Sequence, residues 1–242
     1  MSIEIKGKIA LVTGANRGIG KAIVESFIEH GASKVYLAVR DIKKTDALVT
    51  QYGAKVVPVY VDISKPESIS NLAQMASDVQ ILVNNAGVLS VTDLFSENVE
   101  EVLQYELNIN AYGLLRMARA FATFLEKNGD GAIVQINSVA SLKNFRDLST
   151  YSISKAASYS ITQGLKDSLA DKGITVLSVH PGPIATDMAK EAGISDVAEP
   201  ASLVSEGIVN ALKEGVFHLF PDSRAKEFGT AYHSYSEKMI EV

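Results

Sequence analysis

Three residues near the middle of the chain, Ser138, Tyr151 and Lys155, have side chains and a spacing suited to proton transfer. Tyr151 and Lys155 are one helical turn apart, so their side chains lie on one face of a helix. Ser138 precedes them at the end of a predicted strand, from which its hydroxyl can reach the same place. We expect the Lys155 ammonium to lower the pKa of Tyr151 from its usual value of about 10. The set is suited to donating a proton to a carbonyl oxygen, with Ser138 holding that oxygen.

A glycine-rich segment near the start of the chain, Thr13-Gly14-Ala-Asn-Arg-Gly18-Ile-Gly20, follows a predicted strand and begins a predicted helix. A phosphate-binding turn needs this context, because glycine permits close backbone approach and a helix N-terminus offers unpaired N–H groups to an anion. The spacing differs from the general dinucleotide fingerprint, so a glycine turn without a ligand is the alternative. Together with the proton-transfer set, the turn indicates hydride exchange with a carbon atom.

The residues after the second predicted strand indicate which nicotinamide cofactor is bound. An NAD site has a carboxylate near this strand end, where it binds the adenosine ribose. Here Val39 offers no acceptor, whereas Arg40 can pair with a 2′-phosphate, and Arg17 in the glycine turn can reach the same phosphate. The sequence therefore favours NADP(H). Solvated surface arginines are the alternative, and a rotated loop could bring the carboxylate of Asp41 to the ribose.

Composition limits the partners of the chain. The protein has 242 residues, of which 47% are apolar and 21% charged, and it contains no cysteine. These values are typical of a globular protein and suit the reducing cytoplasm. A net charge of −5 argues against nucleic acid or an anionic membrane as a partner, and no apolar run is long enough to span a bilayer. We expect no metal site, because the histidines are scattered: His30, His180, His218 and His233.

Strand and helix patterns alternate along the chain. Short apolar runs predict strands at 8–13, 34–39, 55–61, 79–83, 132–137 and 174–180, with a last short strand at 216–220. Helical periodicity predicts helices at 18–30, 42–52, 66–77, 98–127, 151–172 and 200–214. We therefore predict one domain over residues 1–242 with a doubly wound Rossmann fold: a mostly parallel sheet of about seven strands with helices on both faces. The role of the polar tail, 224–242, is open.

The motifs in combination resemble those of the short-chain dehydrogenase/reductase family, from about residue 8 to residue 186. Asn110, in the run Asn-Ala-Tyr-Gly, matches the helix asparagine that completes a catalytic tetrad with Ser138, Tyr151 and Lys155. The resemblance implies that Asn110 holds a water molecule linking Lys155 to solvent. Relatives often have two serines where this chain has Asn137-Ser138, and Ser138 is assigned as catalytic because its spacing to Tyr151 fits.

The resemblance also implies a cofactor-binding set. Asp62 matches the acid that meets the adenine, the segment Asn84-Asn85-Ala86-Gly87 lies along the cofactor, and residues 181–186 contact the nicotinamide carboxamide. The full expected set is Gly14, Asn16, Arg17, Gly18, Ile19, Gly20, Arg40, Asp62, Ile63, Asn85, Ala86, Gly87, Tyr151, Lys155, Pro181, Gly182, Ile184 and Thr186.

The family layout also suggests the surroundings of the reacting carbonyl. The side chains expected to wall the pocket are mostly apolar: Leu89, Val91, Leu142, Phe145, Ile184 and Met188. They favour an aliphatic or aromatic carbonyl compound, and residues 186–200 would form a lid over it. The helix at 98–127 is apolar on more than one face and the helix at 151–172 is rich in small residues, so we expect these helices to pair in a homodimer. A monomer is the alternative. Nothing after residue 220 resembles the ending from which many tetrameric relatives build an interface.

The sequence thus predicts an NADP(H)-dependent reductase that converts a small ketone or aldehyde to an alcohol, with Tyr151 as proton donor. Two alternatives remain open at this point. One is an NADP(H)-binding sensor or scaffold without turnover. The other is a reductase of a carrier-bound 3-oxoacyl group, whose carrier arm would need a basic patch made by Lys143, Arg146 and Lys190. A sugar epimerase is disfavoured, because relatives of that kind have a different glycine spacing.

Overall fold

One parallel sheet organises the chain in a computed structural model that describes residues 2–240. Its strand order is β3-β2-β1-β4-β5-β6-β7, and every neighbouring pair is parallel. The strands are β1 (Ile9–Thr13), β2 (Lys34–Val39), β3 (Val56–Tyr60), β4 (Ile81–Asn84), β5 (Ala132–Ile136), β6 (Thr175–Val179) and β7 (His218–Leu219). The predicted doubly wound sheet is confirmed, since the strand order reverses between β1 and β4.

Helices connect the strands and cover both faces of the sheet. They are α1 (Gly18–Glu29), α2 (Asp46–Tyr52), α3 (Pro66–Met75), α4 (Val99–Leu107), α5 (Leu114–Asn128), α6 (Ser149–Leu169), α7 (Asp187–Glu191), α8 (Ser202–Glu214) and α9 (Ser223–Met239). Between residues 2 and 240, none of these helices is long and apolar enough to cross a membrane.

Two apolar layers lie on opposite faces of the sheet, because successive side chains of a strand point to opposite sides. Val12 of β1 belongs to the layer that contains Phe27 of α1 and Ile208 of α8. Leu11, its neighbour, belongs to the other layer with Phe121 of α5 and Leu72 of α3. Burial on both faces explains why the strands are continuous apolar runs rather than alternating ones.

The prediction of one continuous helix over 98–127 is wrong, because the helix is interrupted. A π-helical turn, Asn108–Gly113, separates α4 from α5. Its cause is local, since the Asn110 amide points out of the helix and bonds both backbone groups of Val88, at 2.9 Å each. A Cβ at Gly113 would lie 3.1 Å from Ile63, so the absence of a side chain lets the turn pack closely. Such turns are frequent at functional sites.

The C-terminal tail forms a helix that its weak periodicity did not predict. Helix α9 lies beside the edge strand β7, where Tyr159 of α6 joins both elements. The Tyr159 hydroxyl is 2.6 Å from His218 Nε2 and 3.3 Å from the Tyr232 hydroxyl, and Ser236 Oγ is 3.1 Å from His218 Nδ1. Polar side chains thus help to hold the helix, and a hydrophobic pattern does not reveal such contacts. The last residues of the predicted tail, 241–242, lie outside the described part of the chain.

The glycine turn packs directly on the segment that follows β4. Gly14 has a φ of 65°, in the left-handed region that favours glycine. A Cβ at Gly20, in the first turn of α1, would lie 2.3 Å from the Gly14 carbonyl oxygen and 2.5 Å from Asn85 Nδ2. The Asn85 amide itself bonds the Thr13 carbonyl oxygen at 2.8 Å. Neither the backbone nor this amide can yield without opening the turn.

We expect Gly20→Ala to lower the free energy of unfolding by about 1–3 kcal/mol, because the added methyl group must displace backbone. Lys21→Ala is the control: its side chain is exposed on the same helix, and we expect a change within about 0.5 kcal/mol. Urea denaturation of the three proteins measures both effects. A Gly20→Ala protein as stable as the wild type would show that the turn is not closely packed.

Candidate active site

A deep cavity opens at the carboxyl ends of the central strands, with a volume of about 680 Å³. In doubly wound sheets this end of the sheet, at the point where strand order reverses, is where ligands bind. Almost all of the expected cofactor residues line the cavity: Gly14, Asn16, Arg17, Gly18, Ile19, Arg40, Asp62, Ile63, Asn85, Ala86, Gly87, Tyr151, Lys155, Pro181, Gly182, Ile184 and Thr186. The exception in that set is Gly20, which supports the turn from behind.

Ser138, Tyr151 and Lys155 line this same cavity. Tyr151 is 8% exposed and Lys155 5% exposed, so both groups are largely removed from water. Lys155 Nζ donates a hydrogen bond to the Ile136 carbonyl oxygen at 2.8 Å and lies 5.8 Å from the centre of the Tyr151 ring. The Ser138 hydroxyl accepts a hydrogen bond from the Ala140 backbone N–H at 3.1 Å, which orients it at the end of β5.

The expected lowering of the Tyr151 pKa is wrong. Burial raises the pKa of Tyr151 to about 12, because a phenolate loses its hydration there, and the Ser138 hydroxyl opposes the shift only in part. Burial also lowers the pKa of Lys155 to about 8, with the charge of Glu106 acting in the opposite direction. At neutral pH the site therefore contains a protonated phenol beside an ammonium that is close to losing its proton.

Asn110 lies behind the cavity rather than in its wall. Its Oδ1 accepts from the Val88 N–H, and its Nδ2 donates to the Val88 carbonyl and to the Ser154 hydroxyl, each at 2.9 Å. Both N–H donors of the amide are thus used within the protein. A Cβ at Gly87 would lie 3.1 Å from Asn110 Oδ1 and 3.7 Å from Lys155 Nζ, so the glycine brings these groups close to the cavity.

Glu106 is a buried acid that the sequence did not single out. It lies on α4, is fully buried, and its Oε1 accepts a hydrogen bond from the Ser90 N–H at 2.7 Å. Burial raises its pKa, while the Lys155 charge opposes that shift. One helical turn separates Glu106 from Asn110, so the two side chains fix Ser90 and Val88 in succession along the cavity wall. A glutamate within a helical pattern is usually solvated, which is why this one was missed.

The part of the cavity beside the glycine turn and the ends of β2 and β3 carries most of its charge. Asp62 accepts from the Ser64 hydroxyl and backbone N–H, at 2.6 and 3.0 Å, and chiefly the hydroxyl bond lowers its pKa. Arg40 is exposed and lines the cavity together with Lys44, a cation that the sequence did not indicate. Arg17 is already paired: its Nη1 is 2.9 Å from Asp187 Oδ2 at the start of α7.

The expected apolar wall is partly corrected. Leu89, Phe145, Ile184 and Met188 line the cavity, but Val91 and Leu142 do not. Val91 is mostly exposed to solvent, and Leu142 packs against the apolar layer on the α6 side of the sheet. The wall also includes residues that the sequence did not indicate: Leu148, Ile194 and Arg224.

A buried polar network supports Ser138 from below. Asn137 receives a hydrogen bond from Ser158 at 2.7 Å and donates to Ser178 at 2.9 Å, so it joins β5 to α6 and β6. Ser178 contacts His180 Nε2 at 2.7 Å, and His180 Nδ1 is 3.3 Å from the Ser138 carbonyl oxygen. Burial lowers the pKa of His180 to about 3, which keeps this link neutral. Asn137 in place of a serine is therefore a structural residue.

The segment 186–200 contributes residues to the cavity wall and is anchored at both ends. Thr186 Oγ1 accepts from the Ala189 N–H at 3.3 Å and so caps α7. The Ala185 N–H donates to the Glu199 carbonyl at 2.8 Å, and the Glu199 N–H donates to the Pro183 carbonyl at 3.0 Å. Between these anchors, α7 contributes Met188 and Asp187 to the cavity wall.

Comparison with known proteins shows the family to which this chain belongs. A family model described as short chain dehydrogenase matches residues 8–196. Farnesol dehydrogenase from Aedes aegypti is 34% identical over 219 residues, covering 85% of this chain and 88% of the relative. A 3-oxoacyl-(acyl-carrier-protein) reductase from Vibrio cholerae is 32% identical over 205 residues, covering 83% and 82%. The crystal structure of a short chain dehydrogenase from Burkholderia cenocepacia in complex with NADP is similar with a TM-score of 0.86 at 31% identity, covering 98% of this chain and 99% of the other. The chain is therefore an oxidoreductase of the short-chain dehydrogenase family.

Proposed function

We propose that this protein reduces a ketone or aldehyde to an alcohol with NADP(H), and that Tyr151 supplies the proton. The observation that carries the proposal is the convergence of Ser138, Tyr151 and Lys155 in the cavity that the glycine turn borders. The hydroxyl, the phenol and the ammonium meet where a carbonyl oxygen would need to be polarised and protonated.

The cavity fits a nicotinamide dinucleotide, because glycines keep its wall open along the expected path. A Cβ at Gly18 would lie 3.0 Å from Thr186 Cγ2, between two segments that line the cavity, whereas a Cβ at Gly87 would lie 3.1 Å from Asn110 Oδ1, behind the lining. A side chain at Gly18 would therefore narrow the space that the cofactor needs. When bound, the cofactor supplies the hydride. Asp62, Asn85 and the residues of the glycine turn would hold it.

Side chains of the protein bind the substrate oxygen and transfer the proton. The Ser138 hydroxyl donates a hydrogen bond to the substrate oxygen, and the Tyr151 phenol transfers its proton to that oxygen. A pKa of about 12 keeps the phenol protonated at neutral pH, which is the form that a proton donor needs. The Lys155 ammonium, oriented by the Ile136 carbonyl, stabilises the negative charge that develops as the proton leaves.

Two cations that follow β2 support NADP(H) over NAD(H). Arg40 and Lys44 line the cavity, and Arg17 of the glycine turn lines it too but is paired with Asp187. The carboxylate of Asp41 accepts from the Lys43 N–H at 3.2 Å and caps the short helical turn that follows it. That contact directs the carboxylate into its own turn, where it stabilises backbone. The NADP found in the Burkholderia cenocepacia relative supports the same choice.

We expect kcat/KM with NADPH to exceed that with NADH by about tenfold or more, since a guanidinium and a phosphate form a charge-assisted pair. Arg40→Gln should lower the NADPH value by about 10- to 100-fold and leave the NADH value nearly unchanged. Lys43→Gln, a neighbouring cation outside the cavity wall, should alter neither. Equal use of the two cofactors by the wild type would overturn the assignment.

Replacement of Tyr151 separates an enzyme from a sensor. We expect Tyr151→Phe to lower kcat by about 10²–10⁴-fold across aldehydes, aryl ketones, diketones and quinones, because the phenyl ring has no proton to give. Calorimetric titration should show that NADPH binds the variant as tightly as the wild type. NADPH binding by a wild type that turns over none of these compounds would support the sensor alternative instead.

The carrier-bound substrate is less well supported. The Vibrio cholerae relative carries that activity in its name, but two of the three cations that would hold a carrier arm already have partners within the chain. Lys190 is 4.0 Å from Asp187, and Lys143 lies over the Phe145 ring at 5.6 Å. Turnover of a 3-oxoacyl carrier thioester in preference to the free carbonyl compounds would restore this alternative.

We also propose that the protein is a homodimer joined through the helices within 98–127 and 151–172. Helix α6 exposes small residues one turn apart, Ala156, Ser160 and Gly164, and the neighbouring α4 and π-helical turn expose Tyr105 and Tyr112. Exposed aromatic side chains beside a stripe that permits close approach suit an isologous contact.

Light scattering should give a dimer at micromolar concentration for the wild type. Gly164→Arg should give a folded monomer, because a charged side chain would stand on the two-fold contact. A wild-type mass that stays monomeric at all concentrations would reject this interface.

A further inference from the structure

The start of helix α9 is hydrogen-bonded to the loop of the cavity wall that contains Gly182. Asp222 is 1% exposed, and its two carboxylate oxygens accept from different elements. Oδ2 accepts from the Gly182 N–H at 2.7 Å, and Oδ1 accepts from the Ala225 N–H at 2.9 Å, which caps α9. A Cβ at Gly182 would lie 2.5 Å from Asp222 Oδ1 and 3.1 Å from the Arg224 Cβ. The C-terminal helix is therefore part of the active-site wall.

This attachment brings Arg224 into the cavity wall. The Arg224 guanidinium lies over the Phe228 ring at 5.4 Å, and the Phe228 ring centre is 6.3 Å from that of Phe145, which also lines the cavity. Stacking on an aromatic ring limits the directions that the guanidinium can take. Arg224 also pairs with Glu227 through Nη1, but both side chains are more than half exposed. A guanidinium has five N–H donors, so this exposed pair leaves others for a ligand.

Arg224 lies in a different part of the cavity wall from the other charged side chains. The remaining charged side chains lie around the glycine turn, at the ends of the strands β2 and β3, or in the catalytic set: Arg17, Arg40, Asp41, Lys44, Asp62, Asp187 and Lys155. Beside Gly182 and Phe145, Arg224 is the charged residue of the described chain that lines the cavity. The buried Asp222 carboxylate next to it already accepts from the Gly182 and Ala225 N–H groups, and the Lys143 ammonium lies over the Phe145 ring outside the lining. The cavity wall also contains the apolar residues Leu148 and Ile194.

We propose that Arg224 determines substrate specificity and that the substrate is a carbonyl compound with a carboxylate at its far end. The inference rests on the proposed carbonyl reduction and adds the chemical class of the substrate. Guanidinium and carboxylate form two parallel charge-assisted hydrogen bonds, which fix both distance and orientation. An apolar spacer, aliphatic or aromatic, would lie against Phe145 and Leu148 while Tyr151 meets the carbonyl oxygen.

Matched acids and methyl esters test the proposal. The compounds are 4-oxopentanoate, 3-formylbenzoate and 4-acetylbenzoate, each with its methyl ester, and NADPH consumption is measured for the wild type, Arg224→Gln and Arg224→Lys. Lys226→Gln is the matched control, since it removes a charge from the same helix outside the cavity wall. Calorimetry on the NADP+-saturated protein measures binding of the same six compounds without turnover.

The wild type should favour at least one acid over its ester by about tenfold or more in kcat/KM, mainly through KM. Arg224→Gln should remove about 10- to 100-fold from the acid and less than about twofold from the ester, with Arg224→Lys intermediate. Lys226→Gln should match the wild type. Equal use of acids and esters, or equal losses for both in Arg224→Gln, would overturn the proposal.

The two readouts separate this inference from the function on which it rests. Acid binding that depends on Arg224 in a protein that reduces none of the compounds would support the anion site and refute the proposed reaction. Reduction that depends on Tyr151 but ignores Arg224 would refute the anion site and leave the reaction standing. Absence of both acid preference in turnover and Arg224-dependent binding would refute the inference.

Discussion

The hydroxyl of Thr13 is the contact on which the rest of the site depends. It is buried at the end of β1, donates to the Val83 carbonyl at 3.2 Å, and accepts from the N–H groups of Asn85 and Ala86 at 2.9 and 3.0 Å. Three hydrogen bonds on one oxygen join the strands between which the sheet order reverses. They satisfy backbone groups that would otherwise be buried without partners, at a cost of about 1–3 kcal/mol for each group. The position of the glycine turn and of the wall opposite it both follow from this junction.

Burial determines how the catalytic end works. Removing water from Tyr151 and Lys155 moves their pKa values in the directions that favour a neutral phenol and a weakly held ammonium proton. Glu106 adds a fully buried acid whose charge acts on both groups. The same low-dielectric setting strengthens every interaction with an oxygen that becomes negative during the reaction. The fold thus prepares these side chains for the proposed proton transfer.

The sequence predicted the parts of the molecule that depend on local pattern. Apolar runs located the strands, and the glycine spacing located the turn beside them, because both patterns lie within short stretches of consecutive residues. The π-helical turn at Asn110 escaped prediction because its cause is a bond to Val88, on a different segment. Helix α9 escaped because its sequence has no continuous apolar stripe and polar contacts of Tyr232 and Ser236 help to hold it. Lys44 and Arg224 reach the cavity only after folding, and nothing in their own neighbourhood of the sequence marks them.

Under the proposed function, the strand ends hold the cofactor, Tyr151 of α6 donates the proton, and α9 contributes Arg224 to the cavity wall. The central claim is that hydride reaches a carbonyl carbon in this cavity, and isotope tracing tests it most directly. The measurement uses NADPH with deuterium at the transferable position of the nicotinamide and the carbonyl compound that is consumed fastest. We expect the deuterium to appear on the carbon that carries the new hydroxyl group, one atom for each alcohol formed. An alcohol without deuterium, or cofactor oxidised with no alcohol formed, would contradict the account.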